Sequence, residues 1–151
     1  VNHGDHQHAH GNRGGGSLHA FFTMATALAG FVGTPSTTST PGRALNTTFQ
    51  PSATRPVLVM YSCRVVSSLT ILGGQIGRIE LRSDAASPPT TVRCRMAGGS
   101  TGTLAVGLNI QDEVEAVLVY LVPEGHNVRL VTVNETGTPT FSLVAQTEIT
   151  L

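Results

Sequence analysis

Lysine is absent from this chain: all nine basic residues are arginine, and nine carboxylates balance them to a formal net charge of zero. Charged residues make up only 12% of the sequence, against about a quarter in ordinary soluble domains. With no basic excess there is no sign of a phosphate-binding face, which argues against nucleic acid as a partner. So little charge suits extensive burial against other protein better than a solvated monomer surface. Cysteine is nearly absent too. Cys63 and Cys94 match no zinc or redox spacing, and each stands in a strand-like run, so both are read as buried free thiols rather than a disulfide. Long apolar runs are missing. Residues 21–32 are the most hydrophobic early stretch, but they are too short to span a bilayer and are interrupted by Thr23, Thr26 and Gly30. The polar start lacks the basic-then-apolar pattern of a signal peptide. The chain does not begin with Met, so a piece of a longer polypeptide is expected.

Catalytic signatures are also missing. No nucleophile elbow, zinc-protease helix, phosphate loop or dinucleotide fingerprint occurs. Asp112, Glu113 and Glu115 cluster where a strand begins; a solvated turn explains them better than a carboxylate site. A polysaccharide-cleaving enzyme would need a carboxylate pair beside a long groove. These three are the only candidates, so a non-enzymatic role is expected.

What the chain does have is histidine at one end. His3, His6, His8 and His10 lie within eight residues, and the last three alternate. In an extended strand, residues two apart share a side, so His6, His8 and His10 would line one face. A purification tag, a solvated linker and a metal-holding seam are the competing readings. The interrupting Asp5, Gln7 and Ala9 do not fit a tag. One chain offers too few ligands for an octahedral ion, whereas three parallel chains giving two histidines each would offer six. Such a set favours iron; zinc prefers four ligands in structural sites, and zinc and nickel are the alternatives. His19 is a weak further ligand candidate, and His126 stands apart beside Asn127, as expected of a surface polar pair.

Three zones follow. Residues 1–17 form a His-rich stem ending in a glycine run, residues 18–56 a connecting arm, and residues 57–151 a β-rich domain. Within the arm, residues 18–32 are a short helix or a strand, residues 33–42 a loop or extended arm, and residues 43–50 a first edge strand. In the β-rich zone Val57, Val59, Tyr61, Cys63 and Val65 alternate on one face. Ile79 and Leu81 point in while Arg78, Glu80 and Arg82 point out. Val92, Cys94 and Met96 point in while Arg93 and Arg95 point out. Leu104, Val106, Leu108 and Ile110 alternate, and Phe141, Leu143, Ala145, Ile149 and Leu151 keep one period to the end. Residues 114–122 differ: Val117, Val119 and Leu121 make the second face apolar as well. That strand is either central in a sandwich or part of a subunit interface. Turn residues between the runs point to an all-β antiparallel sandwich or barrel-like domain.

Several stretches carry a resemblance. Pro41-Gly42-Arg43-Ala44-Leu45-Asn46-Thr47-Thr48-Phe49-Gln50 and its continuation to Pro56 resemble the opening of the C-terminal tip domain of bacteriophage and prophage tail fibres. So do Tyr61-Ser62, Gly73-Gly74-Gln75-Ile76-Gly77, Gly102-Thr103-Leu104, Val122-Pro123-Glu124-Gly125 and Asn134-Glu135-Thr136-Gly137-Thr138-Pro139-Thr140-Phe141. The resemblance covers residues 41–151, and its motifs are turns and strands without catalytic meaning. The pairs His6-Gln7-His8 and His8-Ala9-His10 are similar to elements of long fibre tips that hold iron between three chains. The resemblance implies an intertwined homotrimer with an extended N-terminal stem, carried on a virion beside other tail proteins and outside any membrane. It would bind a host cell-surface polysaccharide or outer-membrane protein. Recognition would fall on loops: residues 83–90, 98–102, 124–127 and 134–139. The candidate contacts are Glu124, His126, Asn127, Asn134, Arg93 and Arg95. A baseplate or head-decoration protein without receptor contact is the runner-up.

Overall fold

The computed structural model describes residues 37–103 and 110–151, and these form antiparallel β-sheets with no helix among them. Nine strands follow in order: β1 Thr37–Ser39, β2 Thr48–Phe49, β3 Val57–Thr70, β4 Gly73–Gly74, β5 Ile76–Asp84, β6 Val92–Gly99, β7 Ile110–Val122, β8 Asn127–Thr136 and β9 Thr140–Thr150. The first sheet centres on β3, which pairs with β9 on one side and β7 on the other; β1 extends it beyond β9, and β4 folds back on the end of β3. The second sheet runs β2-β8-β5-β6.

β3 forms because its valines, Tyr61 and Cys63 recur every second residue, which places them all on one side of a pleated strand. Val57, Val59, Tyr61, Cys63 and Val65 are each at most 1% exposed. They meet Ile79 and Leu81 of β5, Met96 of β6, Leu118 and Val122 of β7, and Val128 and Leu130 of β8. Both sheets thus close on one core. Each such aliphatic side chain contributes about 1.5–3 kcal/mol by leaving water. Gly77 is required by this packing: a Cβ there would fall 2.6 Å from the ring of Phe141 and from Pro139.

Three bulges interrupt the expected alternation. In β9 the register on β3 shifts between Ser62 and Cys63, leaving Val144 as the extra residue. Phe141 and Leu143 therefore face the core, but Ala145 and Ile149 pair with Ser62 and Leu58 on the outer face. The single period expected to the end of the chain does not hold, and Gln146 and Glu148 turn inward instead. In β6 the shift falls at Arg93, so Val92 pairs with Arg82 on the outer face and is 44% exposed, contrary to the inward position expected. In β8 the extra residue is Glu135.

The arm also differs from expectation. Residues 43–50 are not one edge strand; only Thr48–Phe49 pairs, at the edge of the second sheet, while Thr37–Ser39 joins the first sheet. Residues 104–109, and with them most of the alternation expected before Ile110, lie outside the described residues. Ile110 itself is 50% exposed.

The registers define two poles. Thr37 lies opposite Thr150, and Leu151 N–H donates to the Pro56 carbonyl at 3.0 Å. This pole also holds residues 51–56, 85–91 and 123–126. The other pole carries residues 71–72, 100–103 and 137–139.

Candidate functional site

The arm is fastened at a buried carboxylate. Turned inward by the bulge at Val144, Glu148 is 3% exposed. Arg43 donates from Nε to Glu148 Oε1 and from Nη2 to Oε2, both at 2.9 Å, and Tyr61 Oη donates to Oε1 at 2.5 Å. The Arg43 guanidinium also lies 4.3 Å from the Phe49 ring centre, and Phe49 meets Tyr61 edge-on. Gln146 completes the clamp, accepting from Arg43 N–H at 2.7 Å and donating to its carbonyl at 3.1 Å. Burial, with the Glu148 hydrogen bond, pushes the Tyr61 phenol far up, and the same carboxylate raises Arg43. Arg43 and Glu148 thus form an ion pair, with Tyr61 as a further donor to the carboxylate.

At the pole where Thr37 lies, hydrogen bonds tie the loops to one another. Asp84 accepts from the N–H groups of Thr90 at 2.8 Å, Thr91 at 2.9 Å and Ala86 at 2.9 Å, and from both threonine hydroxyls. Those backbone donors, Thr90 first, hold its carboxyl well below the usual range. Asn127 Nδ2 donates to the Ala85 carbonyl at 3.3 Å, Gln50 Nε2 to the Gly125 carbonyl at 2.7 Å, and Gly125 N–H to the Ser52 carbonyl at 3.1 Å.

The receptor-contact candidates do not converge. Glu124, His126 and Asn127 lie at this pole. Asn134 stands toward the other end of β8. Arg93 and Arg95 sit on β6, with Arg93 5.6 Å from the Tyr120 ring centre and donating to the Ser83 carbonyl at 2.8 Å. The metal candidates His6, His8 and His10, and also His19, lie outside the described residues. Among the described residues no group of three potential ligands is arranged to hold a metal. No helix among them is long and apolar enough to cross a membrane.

The three carboxylates at the start of β7 are exposed. Glu113 and Glu115 both reach Arg64, at 3.1 and 3.0 Å. A hydrogen bond from Ser62, with Arg64, lowers the Glu115 carboxyl. They make an ion-pair cluster on the sheet surface.

The outer faces of the two sheets contrast. On the first, cross-strand rows read Ile149–Leu58–Leu121, Thr147–Met60–Val119 and Ala145–Ser62–Val117. Val117, Val119 and Leu121 are 57, 50 and 44% exposed, on a strand with no pairing partner beyond it among the described residues. Among the described residues β7 is therefore an edge strand. Alternating apolar residues on both of its faces had signalled this surface in the sequence. On the second sheet, Arg78, Glu80, Arg82, Arg95 and Arg129 share the outer face. Glu80 is only 4% exposed beneath Arg78 and Arg82. The net charge of zero concealed this segregation.

Cys63 and Cys94 are free thiols. Burial pushes Cys63 up to about 12. Comparison with protein-family models finds no match, and no curated protein matches the chain.

Proposed function

We propose that this chain is the tip of a phage or prophage tail fibre: a β-sandwich that works as a homotrimer and attaches the virion to a host surface without enzymatic action. The observation that supports it is the exposed apolar face of the first sheet. Patches of this kind on soluble proteins mark interaction surfaces. Copies packed through Leu58, Met60, Val117, Val119 and Leu121 would remove that surface from water. The sparse charge and the resemblance over residues 41–151 support the same reading. Three equivalent sites on one tip would give avidity from weak contacts. The alternating His6, His8 and His10 would lock chain register in the stem around a shared ion, with iron as first choice and zinc or nickel as alternatives.

Native mass with metal analysis on one sample tests assembly. A trimer with one iron per three chains supports the whole reading. A metal-free trimer removes the ion, and a monomer removes both ion and interface. A baseplate or decoration subunit could use the same apolar face, and attachment to whole bacteria separates the two. Fibre tips attach; a purely structural subunit does not.

A further inference from the structure

We infer that the outer face of the second sheet binds the acidic groups of an anionic polysaccharide, through Arg129, Arg82 and Arg95. The inference takes its ligand class from the adhesion reading, and its place on the molecule from the arrangement of charge. Four arginines and two carboxylates, Glu80 and Glu135, meet on this face. Glu80 is fully engaged: Arg78 Nε donates to its Oε1 at 2.7 Å, and Arg82 Nε and Nη2 donate to its Oε2 at 2.9 and 2.6 Å. Glu135 pairs with Arg78. Both carboxylates are thereby spent on Arg78 and Arg82.

Arg129 and Arg95 are left over. Arg129 stands directly across from Arg82 in the β5–β8 register. Like charges in directly opposed positions on a sheet repel. Its Nε is buried and has no hydrogen-bond partner among the described residues. That nitrogen is closed to solvent, so an anion on the outer face would meet the terminal Nη groups of Arg129 instead. Arg95 lies across from Glu80 on the other side of β5, where Arg78 and Arg82 already occupy the carboxylate oxygens. Arg129, Arg82 and Arg95 thus span three adjacent strands, set about 4.8 Å apart. The planar forks of Arg129 and Arg95 match a carboxylate or a phosphate, while Arg82, its Nε and Nη2 held by Glu80, adds charge between them.

A polymer with repeated acidic groups fits an open row of this kind better than one small anion does. Nucleic acid fits less well. The cross-strand positions of this face are Thr48, Val92, Ala97, Val131 and Val133 around the charges, with no aromatic side chain on which a base could stack.

The test uses the full chain, titrated with polygalacturonate, polyphosphate, neutral dextran and single-stranded DNA at low and high salt. Binding to either acidic polymer, weakened by salt and absent for dextran, supports the site, and the preferred polymer tells carboxylate from phosphate. Arg129→Gln and Arg95→Gln should each weaken binding about tenfold, the value of a charge-assisted hydrogen bond. Arg129→Lys, which keeps charge without the fork, should recover part of it. Arg64→Gln, the same charge loss on the other sheet, should leave binding unchanged. Unaltered secondary structure by circular dichroism confirms that each variant folds. Binding of dextran equal to that of the acidic polymers, DNA binding tighter than either, or variants that bind like the parent would overturn the site. Whole-cell attachment that survives Arg129→Gln with Arg95→Gln overturns the site and leaves adhesion standing. Acidic-polymer binding lost in those variants, with no attachment by the parent to cells, upholds the site and removes adhesion.

Discussion

Replacing Arg43 by Met should destabilise the protein by about 3 kcal/mol. Breaking a buried ion pair from one side costs about 3–5 kcal/mol, because the remaining charge stays out of water. The Arg43 side chain is 24% exposed and that of Glu148 only 4%. Water thus reaches one partner, which places the cost at the lower end, while Met keeps much of the packing on Phe49. Tyr61→Phe removes only a hydroxyl donating to the same carboxylate at 2.5 Å, so about 1.5–3 kcal/mol should be lost. Arg43→Met combined with Glu148→Leu should cost clearly less than the sum of the single changes, since no charge is then stranded. Equilibrium urea unfolding at one fixed protein concentration measures all three, the fixed concentration removing any contribution from assembly. A loss for Arg43→Met within the roughly 0.5 kcal/mol typical of surface positions, or strict additivity in the double variant, would refute the view that this clamp fastens the arm.

Val119→Asp should leave unfolding of the isolated chain within about 0.5 kcal/mol while lowering the mass seen by sedimentation; an unchanged mass would show that this face is not an interface. Asp84→Ala should speed amide exchange at Ala86, Thr90 and Thr91 without altering that of β3; continued protection would mean that other contacts hold the loop. Glu80 should make acid unfolding partly its own. Burial opposes its ionised form, but hydrogen bonds from Arg82 and Arg78 outweigh that and hold its pKa below the ordinary 4.5. Its stabilisation is therefore complete above that value and lost as pH falls through the lower folded value, so Glu80→Gln should flatten the pH dependence of melting there. Cys63, with its thiol pushed up to about 12, should resist a thiol reagent at pH 8 in the folded protein and react once urea is added.

The core was legible wherever a strand kept its period. β3 alternates without interruption, and its buried face could be read directly from Val57 to Val65. β9 defeated the same reading because one extra residue, Val144, moves everything after it to the opposite face, and nothing in the spelling of Val144-Ala145-Gln146 marks that shift. This is why Glu148, the carboxylate that fastens the arm, looked like an outward residue. Val92 was misplaced for the same reason by the bulge at Arg93. The candidate surfaces were half legible. The second apolar face of residues 114–122 was visible, but whether it lay inside a sheet or at its edge depends on pairing partners remote in sequence. The arginines of β5, β6 and β8 are spread along the chain from Arg78 to Arg129, so only strand order brings them together.

The coincidence of Thr37 and Leu151 at one pole bears on how this domain can be rewired. Thr37 lies one ladder step from the end of β9, opposite Thr150, and paired residues in such ladders sit about 5 Å apart. A short glycine linker could therefore splice Leu151 to Thr37 and make the β unit continuous there. New ends would then be opened between Ile71 and Leu72, the exposed tip of the β3–β4 hairpin. Such a permuted chain would keep every cross-strand pair but present its cargo at the opposite pole, so the same core could display a fused partner in either direction.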